Sequence, residues 1–124
     1  LDEISLATST TVAELKDGEI SVYEMMPEDA GIESQTLIGL DVDSPEQSLA
    51  LIRAALSGTN THDRAVLKAR DMIALNAGAA IYTAGLASNY PNGVSRAQSV
   101  IQNGDALLKL ESLAKYTQQL VSEG

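Results

Sequence analysis

The chain has 124 residues, a net charge of −9 and no cysteine. This length is sufficient for one hydrophobic core, and a hydrophobic share of 44% is ordinary for a globular protein. The acidic balance excludes the basic face that nucleic acid requires, and the lack of cysteine excludes disulfides and thiolate metal sites. A cysteine-free chain also fits a reducing compartment, so we expect a cytoplasmic location.

The negative charge is concentrated in the first half of the chain. Twelve of the 17 acidic residues, but two of the eight basic ones, lie in residues 1–60. So acidic a region needs a divalent cation, or basic residues from elsewhere, to bind a phosphate compound. The longest apolar run, Met72 to Ala87, is shorter than the roughly 20 residues of a membrane span. We therefore expect it to form a buried helix and expect no membrane contact.

The first third of the chain has the pattern of β-structure. Leu1 to Leu6 is an apolar-rich strand candidate. Thr10 to Leu15 and Glu19 to Met26 then flank Asp17-Gly18, and Asp-Gly between β-formers predicts a hairpin. Both faces of the second hairpin strand carry apolar residues, which predicts packing on each side: Ile20, Val22 and Met26 on one face, Tyr23 and Met25 on the other.

The remainder has the pattern of four helices. Ser44-Pro45-Glu46-Gln47 combines a cap, a proline at the first helical position and a capping-box glutamine, and Ser57-Gly58 ends this first helix. Small residues in the second helix, Gly78 among them, should let a neighbour approach closely, so we expect this helix to be the most buried. The predicted bounds of the later helices are Thr61 (as cap) to about Leu86, Pro91 to Asn103-Gly104, and a last helix carrying Leu107, Leu110, Leu113 and Leu120.

This order of elements is not an alternating βαβ pattern, so a self-contained parallel sheet cannot be built from it. The leading strand then needs partner strands from elsewhere. The chain also starts without methionine, with an acidic pair at its edge. We therefore expect a fragment whose site is completed by upstream residues.

Asp2 and Glu3 are the first candidate site. Adjacent carboxylates at a strand end can hold magnesium, which typically takes one or two protein carboxylates together with water and phosphate oxygens. Neighbouring residues on a regular strand, however, point to opposite faces. Spacing alone therefore favours a solvated acidic pair and leaves one or two metal ions open.

Other polar residues have simpler interpretations. His62 is predicted to lie just inside a helix N-terminus and has no partner at ligand spacing, which indicates a surface residue. Asn76 and Tyr82 are expected to bond neighbouring backbone. No glycine-rich phosphate loop and no Ser–His–Asp arrangement can be argued. The remaining candidates indicate loop and first-turn carboxylates: Glu28, Asp29, Asp41 and Asp43.

Taken together, the sequence resembles the C-terminal third of the anthranilate phosphoribosyltransferase family. The resemblance covers nearly the whole chain and keeps its order and spacing. Its specific part is LDEISL followed by the hairpin TTVAELKDGEI, and it continues through MMPEDAGI, SPEQSLALIRAALSG, DMIALNAGAAIYTAGLA and IQNGDALLKLESLAKY.

The resemblance implies an α/β fold: residues 1–124 would be the C-terminal part of the large α/β domain of a nucleoside phosphorylase/phosphoribosyltransferase-like fold. It also implies that Asp2 and Glu3 carry Mg²⁺ that engages the pyrophosphate of phosphoribosyl pyrophosphate. The reaction would transfer the phosphoribosyl group to anthranilate in tryptophan biosynthesis. The family's glycine-rich loop, anthranilate-binding residues and helical dimerisation domain have no counterpart here. We therefore assign no catalytic residue, expect the segment alone to be inactive, and expect the parent to be a homodimer.

Two other functions remain open at the level of sequence. One is a related nucleobase phosphorylase or phosphoribosyltransferase of the same fold, which the acidic pair with its hairpin fits less well. The other is a non-catalytic interaction module whose helices dock a partner. Such a module should fold alone as a monodisperse species.

Overall fold

A computed structural model describes residues 1–123. Its elements in chain order are two strands, a short 3-10 turn and four helices, which confirms the α/β class. The bounds are β1 Thr10–Lys16, β2 Glu19–Met25, the 3-10 turn Pro27–Ala30, α1 Pro45–Leu56, α2 Arg64–Thr83, α3 Tyr90–Gln102 and α4 Asp105–Glu123. None of the helices within residues 1–123 is long and apolar enough to cross a membrane.

The predicted hairpin is confirmed. β1 and β2 pair antiparallel, with Lys16 opposite Glu19 across a two-residue turn. Asp17 and Gly18 have φ values of 53° and 80°, and two positive φ values give the turn the twist that hairpin strands require. The Asp-Gly pair is therefore the local cause of this register.

The prediction that both faces of the hairpin are packed is wrong for residues 1–123. The face that carries Ile20 and Val22 is open, and these side chains are 72% and 68% exposed. The opposite face, with Val12, Glu14 and Tyr23, is the one turned toward the helices. The hairpin thus meets the rest of the described chain through one face.

The strand predicted for Leu1 to Leu6 is also wrong, because residues 1–9 have no regular secondary structure. The cause lies in the partners of its backbone groups. The Ile4 N–H and C=O bond the Asn76 side chain, and the Leu6 C=O accepts from the Gln35 N–H at 3.1 Å. A ladder would need those groups for a neighbouring strand.

Helix starts follow local side-chain chemistry. The Ser44 side chain accepts from the Gln47 N–H at 3.1 Å, as predicted, while the Gln47 side chain reaches the Asp43 N–H. The cap of α2 is Asp63 and not Thr61, since the Asp63 carboxylate accepts from two N–H groups of the first turn. α2 ends at Thr83, three residues before the predicted end.

The core lies where α2 crosses α3. Gly78 and Gly93 face each other there, and a Cβ built on Gly78 would stand 2.6 Å from the backbone nitrogen of Val94. Only glycine permits so close an approach of two helices. α2 is the most buried helix, as predicted, and the buried cluster around the crossing is Leu6, Ile32, Ala74, Leu75, Val94, Ala97 and Ile101.

Candidate functional site

Asp2 and Glu3 lie at the exposed start of the described chain. Within residues 1–123, neither carboxylate takes part in a hydrogen bond or an ion pair. Both are therefore free to bind something other than this chain. Their assignment as metal ligands stays a prediction.

The residues that follow the pair are firmly held. The Ile4 N–H donates to Asn76 Oδ1 at 2.9 Å, and Asn76 Nδ2 donates to the Ile4 C=O at 3.0 Å. The Ser5 N–H donates to the Thr10 hydroxyl at 3.3 Å. The Leu6 side chain is completely buried in the core. The pair thus projects from a segment whose backbone is fixed immediately after it.

This arrangement suits a hard cation that is shared with a ligand. Carboxylate oxygens are what Mg²⁺ prefers, and it commonly keeps one or two of them while water and phosphate oxygens complete its shell. No group of three or more His, Cys, Asp or Glu side chains within residues 1–123 is placed to hold a metal. The two carboxylates are hard oxygen donors of the kind that Mg²⁺ takes, and their assignment as its ligands stays a prediction.

A second polar cluster, around Glu14, was not found from the sequence. Tyr82 donates to Glu14 Oε2 at 2.6 Å, and Tyr23 donates to Oε1 at 2.9 Å. These hydrogen bonds hold the pKa of Glu14 below its usual range, and the bond from Tyr82 has the larger effect. The Lys16 ammonium lies 5.9 Å from the centre of the Tyr82 ring. The signal that could have revealed the cluster is the alternation of β1, which puts Glu14 on the same face as Val12.

The Glu14 cluster forms one wall of an open cleft of about 580 Å³ between the hairpin and α2. Aromatic and apolar side chains line much of it. The Tyr90 hydroxyl on its far side is used internally, since it donates to the Leu75 C=O at 3.0 Å, and burial raises the pKa of Tyr90 to about 12. Ile4 also lines the cleft, and it is the residue directly after the acidic pair in the sequence.

The other predicted positions are accounted for by local structure. His62 is exposed, as predicted, but it lies in the loop ahead of α2 and not just inside the helix. Asn76 bonds backbone, as predicted, whereas Tyr82 bonds the Glu14 carboxylate and that prediction is wrong. The Glu28 carboxylate accepts from the Ser34 N–H and hydroxyl, which lowers its pKa. The other three predicted loop and first-turn carboxylates are exposed: Asp29, Asp41 and Asp43.

Asp71 is a further carboxylate that the sequence did not single out. It accepts from Gln35 Nε2 at 2.9 Å. Burial raises its pKa, and the hydrogen bond from Gln35 offsets part of that rise. This hydrogen bond links α2 to the loop that carries Gln35. The backbone N–H of Gln35 in turn donates to the Leu6 C=O.

Comparison with known families gives the class of the protein. Residues 1–107 match the family described as "Glycosyl transferase family, a/b domain". The match covers the acidic pair, the hairpin and α1 to α3. The chain belongs to this glycosyl transferase family.

Comparison with individual proteins is more specific. The chain is 70% identical over 95% of its length to the anthranilate phosphoribosyltransferase of Psychrobacter sp. (strain PRwf-1). It is 58% identical, again over 95% of its length, to the enzyme of that name from Marinobacter nauticus. The alignments cover 33% and 34% of those relatives, so the chain spans about a third of their length.

Solved structures agree on the fold. The anthranilate phosphoribosyltransferase of Thermus thermophilus superposes with a TM-score of 0.76 at 33% identity, over 90% of this chain and 31% of that one. The Saccharomyces cerevisiae enzyme, solved in complex with 4-fluoroanthranilate, gives a TM-score of 0.71 at 26% identity, with the same coverage. The arrangement of hairpin and helices is therefore shared with both.

Proposed function

We propose that this chain is part of an anthranilate phosphoribosyltransferase and carries the magnesium-binding portion of its active site. The reaction transfers the phosphoribosyl group from phosphoribosyl pyrophosphate to the amine of anthranilate and releases pyrophosphate. The observation that carries the proposal is the 70% identity, over nearly the whole chain, to a relative of that name. The N-terminal helical domain, the homodimer formed through it and the cytoplasmic location belong to the same proposal.

Within this reaction the chain would hold the metal ion and orient the carboxylates that bind it. Asp2 and Glu3 would bind Mg²⁺ through their exposed carboxylates. A metal held there would supply positive charge that stabilises the pyrophosphate leaving group. The residues behind the pair, from Ile4 to Leu6, are hydrogen-bonded to the domain, so the backbone that carries the carboxylates is held directly after Glu3.

The charge of the chain supports a role for a metal ion in binding the substrate. A region that holds twelve acidic residues within residues 1–60 repels a polyanionic substrate. A divalent cation held by Asp2 and Glu3 would offset that repulsion where the substrate binds. The remaining groups for phosphate and anthranilate would come from other parts of the enzyme, so residues 1–124 alone should be inactive.

The test follows the loss of anthranilate fluorescence in the intact enzyme that contains this chain, with phosphoribosyl pyrophosphate and Mg²⁺ present. The double variant Asp2→Asn, Glu3→Gln should lose about 100-fold or more of the rate. The double variant Asp41→Asn, Asp43→Asn, which removes two other exposed charges, is the matched control and should retain the rate.

Each outcome has a distinct meaning. Activity that survives loss of the pair would keep the reaction and demote Asp2 and Glu3 to surface charge. An enzyme that leaves anthranilate unchanged with metal and both substrates present would refute the proposed reaction. Nucleobase phosphorolysis would then be the next activity to assay.

A further inference from the structure

The Asn76 side chain makes a three-point contact with backbone. Its Oδ1 accepts from the Ile4 N–H at 2.9 Å, and its Nδ2 donates to the Ile4 C=O at 3.0 Å. The second hydrogen of Nδ2 goes to the Met72 C=O, one turn earlier in α2, at 2.9 Å. The helix thus orients the Asn76 amide, and the amide bonds both the N–H and the C=O of Ile4, which is 72 positions away in the sequence.

Asparagine is well suited to this contact. The contact needs one acceptor for an N–H and two donors for two carbonyls, and a carboxamide provides all three at once. An aspartate would present oxygens to both carbonyls. An alanine would leave the Ile4 N–H and C=O without a partner inside a partly buried segment. The donors and acceptors around Asn76 also fix which way its amide points.

The position of the contact gives it significance. Within residues 1–123, Ile4 is the first residue whose backbone is hydrogen-bonded, and it directly follows Glu3. The later contacts, from Ser5 to Thr10 and from Gln35 to Leu6, act further along the segment. Asn76 therefore provides the anchor nearest to the two carboxylates.

The anchor itself rests on the rigid part of the fold. Asn76 lies between the fully buried Leu75 and the buried Gly78, where α3 packs against α2. A helix held in this way cannot shift without disturbing the core. The position of Ile4, the residue directly after Glu3, is thereby set by the crossing of α2 and α3.

We infer that Asn76 is a positioning residue for the metal carboxylates Asp2 and Glu3, acting through the backbone of Ile4. The inference rests on the proposed function for the role of the pair. Groups that orient metal ligands typically change metal affinity or activity by about 10–100-fold when they are lost. We expect the same range for Asn76→Ala.

The experiment uses the intact enzyme and three variants. Asn76→Ala removes the contact, and Asn76→Asp keeps the side-chain shape but loses both donors. Arg70→Met is the matched control, because Arg70 lies on the same helix and its guanidinium likewise bonds two backbone carbonyls, those of Ala55 and Ala54, at 2.8 and 3.2 Å. Within the described residues, its side chain makes no hydrogen bond with residues 1–6. Thermal melts establish that each variant is folded.

Two readouts besides activity are measured. Mn²⁺, used as a probe for Mg²⁺, is titrated against each enzyme and its free fraction is followed by electron paramagnetic resonance. Hydrogen exchange is followed in the peptide that spans residues 1–6. Both Asn76 variants should bind Mn²⁺ about 10–100-fold more weakly and exchange faster in this peptide. Arg70→Met should lower the melting temperature and leave both readouts unchanged.

A cycle with the double variant Asp2→Asn, Glu3→Gln decides whether Asn76 acts through the pair. If it does, Asn76→Ala has no further effect on Mn²⁺ affinity in that background. Unchanged Mn²⁺ affinity in Asn76→Ala, or an equal loss with and without the pair, would overturn the inference. Failure of the proposed reaction shows instead as a wild-type enzyme that binds Mn²⁺ but does not consume anthranilate.

Discussion

Tyr82 and Glu14, 68 residues apart in the sequence, are joined by a hydrogen bond of 2.6 Å from the tyrosine hydroxyl to the carboxylate. The bond ties α2 to β1. Tyr23 of β2 bonds the other carboxylate oxygen at 2.9 Å, so both strands and the helix meet on one side chain. Both bonds favour the ionised form of Glu14, so we expect the attachment of the hairpin to α2 to weaken at low pH.

We predict that Tyr82→Phe raises the pKa of Glu14 toward its ordinary value of 4.5 and loosens the hairpin. Since the pKa of Glu14 is lowered in the folded protein, its contribution to stability is fully present above pH 4.5. That contribution is lost as the pH falls through the folded value. NMR titration of the Glu14 carboxyl carbon measures the pKa, and hydrogen exchange in residues 10–25 measures the loosening.

Tyr116→Phe is the control for this prediction, because the Tyr116 side chain is 58% exposed on α4 and makes no hydrogen bond within residues 1–123. It should leave the Glu14 titration unchanged. A Glu14 pKa that is the same in Tyr82→Phe and in the wild type would show that the Tyr82 hydrogen bond is not formed in solution.

A second prediction concerns the crossing of α2 and α3. Gly78→Ala should destabilise the protein by about 1–3 kcal/mol, because the added methyl meets Val94 backbone, which cannot move aside like a flexible side chain. Helix propensity alone would give the opposite sign, a gain of about 1 kcal/mol. Urea denaturation of the intact enzyme decides between them. The control Ala80→Gly, at an exposed position of the same helix, reports the propensity difference without the clash.

A third prediction concerns Asp71. Its pKa is raised by burial, so its ionised form costs stability above the folded pKa, and the cost disappears below the ordinary value of 3.8. Asp71→Asn removes the charge and keeps an oxygen that can accept from Gln35. We expect a higher melting temperature than the wild type at pH 7 and no difference at pH 3. The exposed Asp41→Asn should show no such pH-dependent gain, and a lower melting temperature for Asp71→Asn at pH 7 would contradict the prediction.

The elements that were predicted correctly are those set by local chemistry. Asp17-Gly18 determines the hairpin register through positive φ values, and Ser44-Pro45 determines the start of α1. Boundaries were less secure where two residues compete for one role. Thr61 and Asp63 are both good helix caps, and only the folded chain shows that Asp63 takes the first-turn N–H groups.

The elements that were missed depend on partners far along the chain. An apolar run such as Leu1 to Leu6 has the composition of a strand, but its backbone is bonded by Asn76 and Gln35 instead. Tyr82 was expected to bond backbone because Glu14, 68 residues earlier, was not recognised as its neighbour. Asp2 and Glu3 could be named from the sequence resemblance, whereas the contact that anchors the residue behind them required the fold.

The last prediction links the core to the acidic pair. Leu6 is completely buried and belongs to the cluster around the α2–α3 crossing. Leu6→Ala should destabilise the protein by about 2–5 kcal/mol, as deletion of a buried leucine side chain leaves a cavity. Leu1→Ala, at a leucine that is 77% exposed, should change the free energy of unfolding by less than about 0.5 kcal/mol. Urea denaturation measures both variants. Equal effects of the two changes would mean that the segment behind Asp2 and Glu3 is not docked in solution, and that the pair is presented by a mobile end.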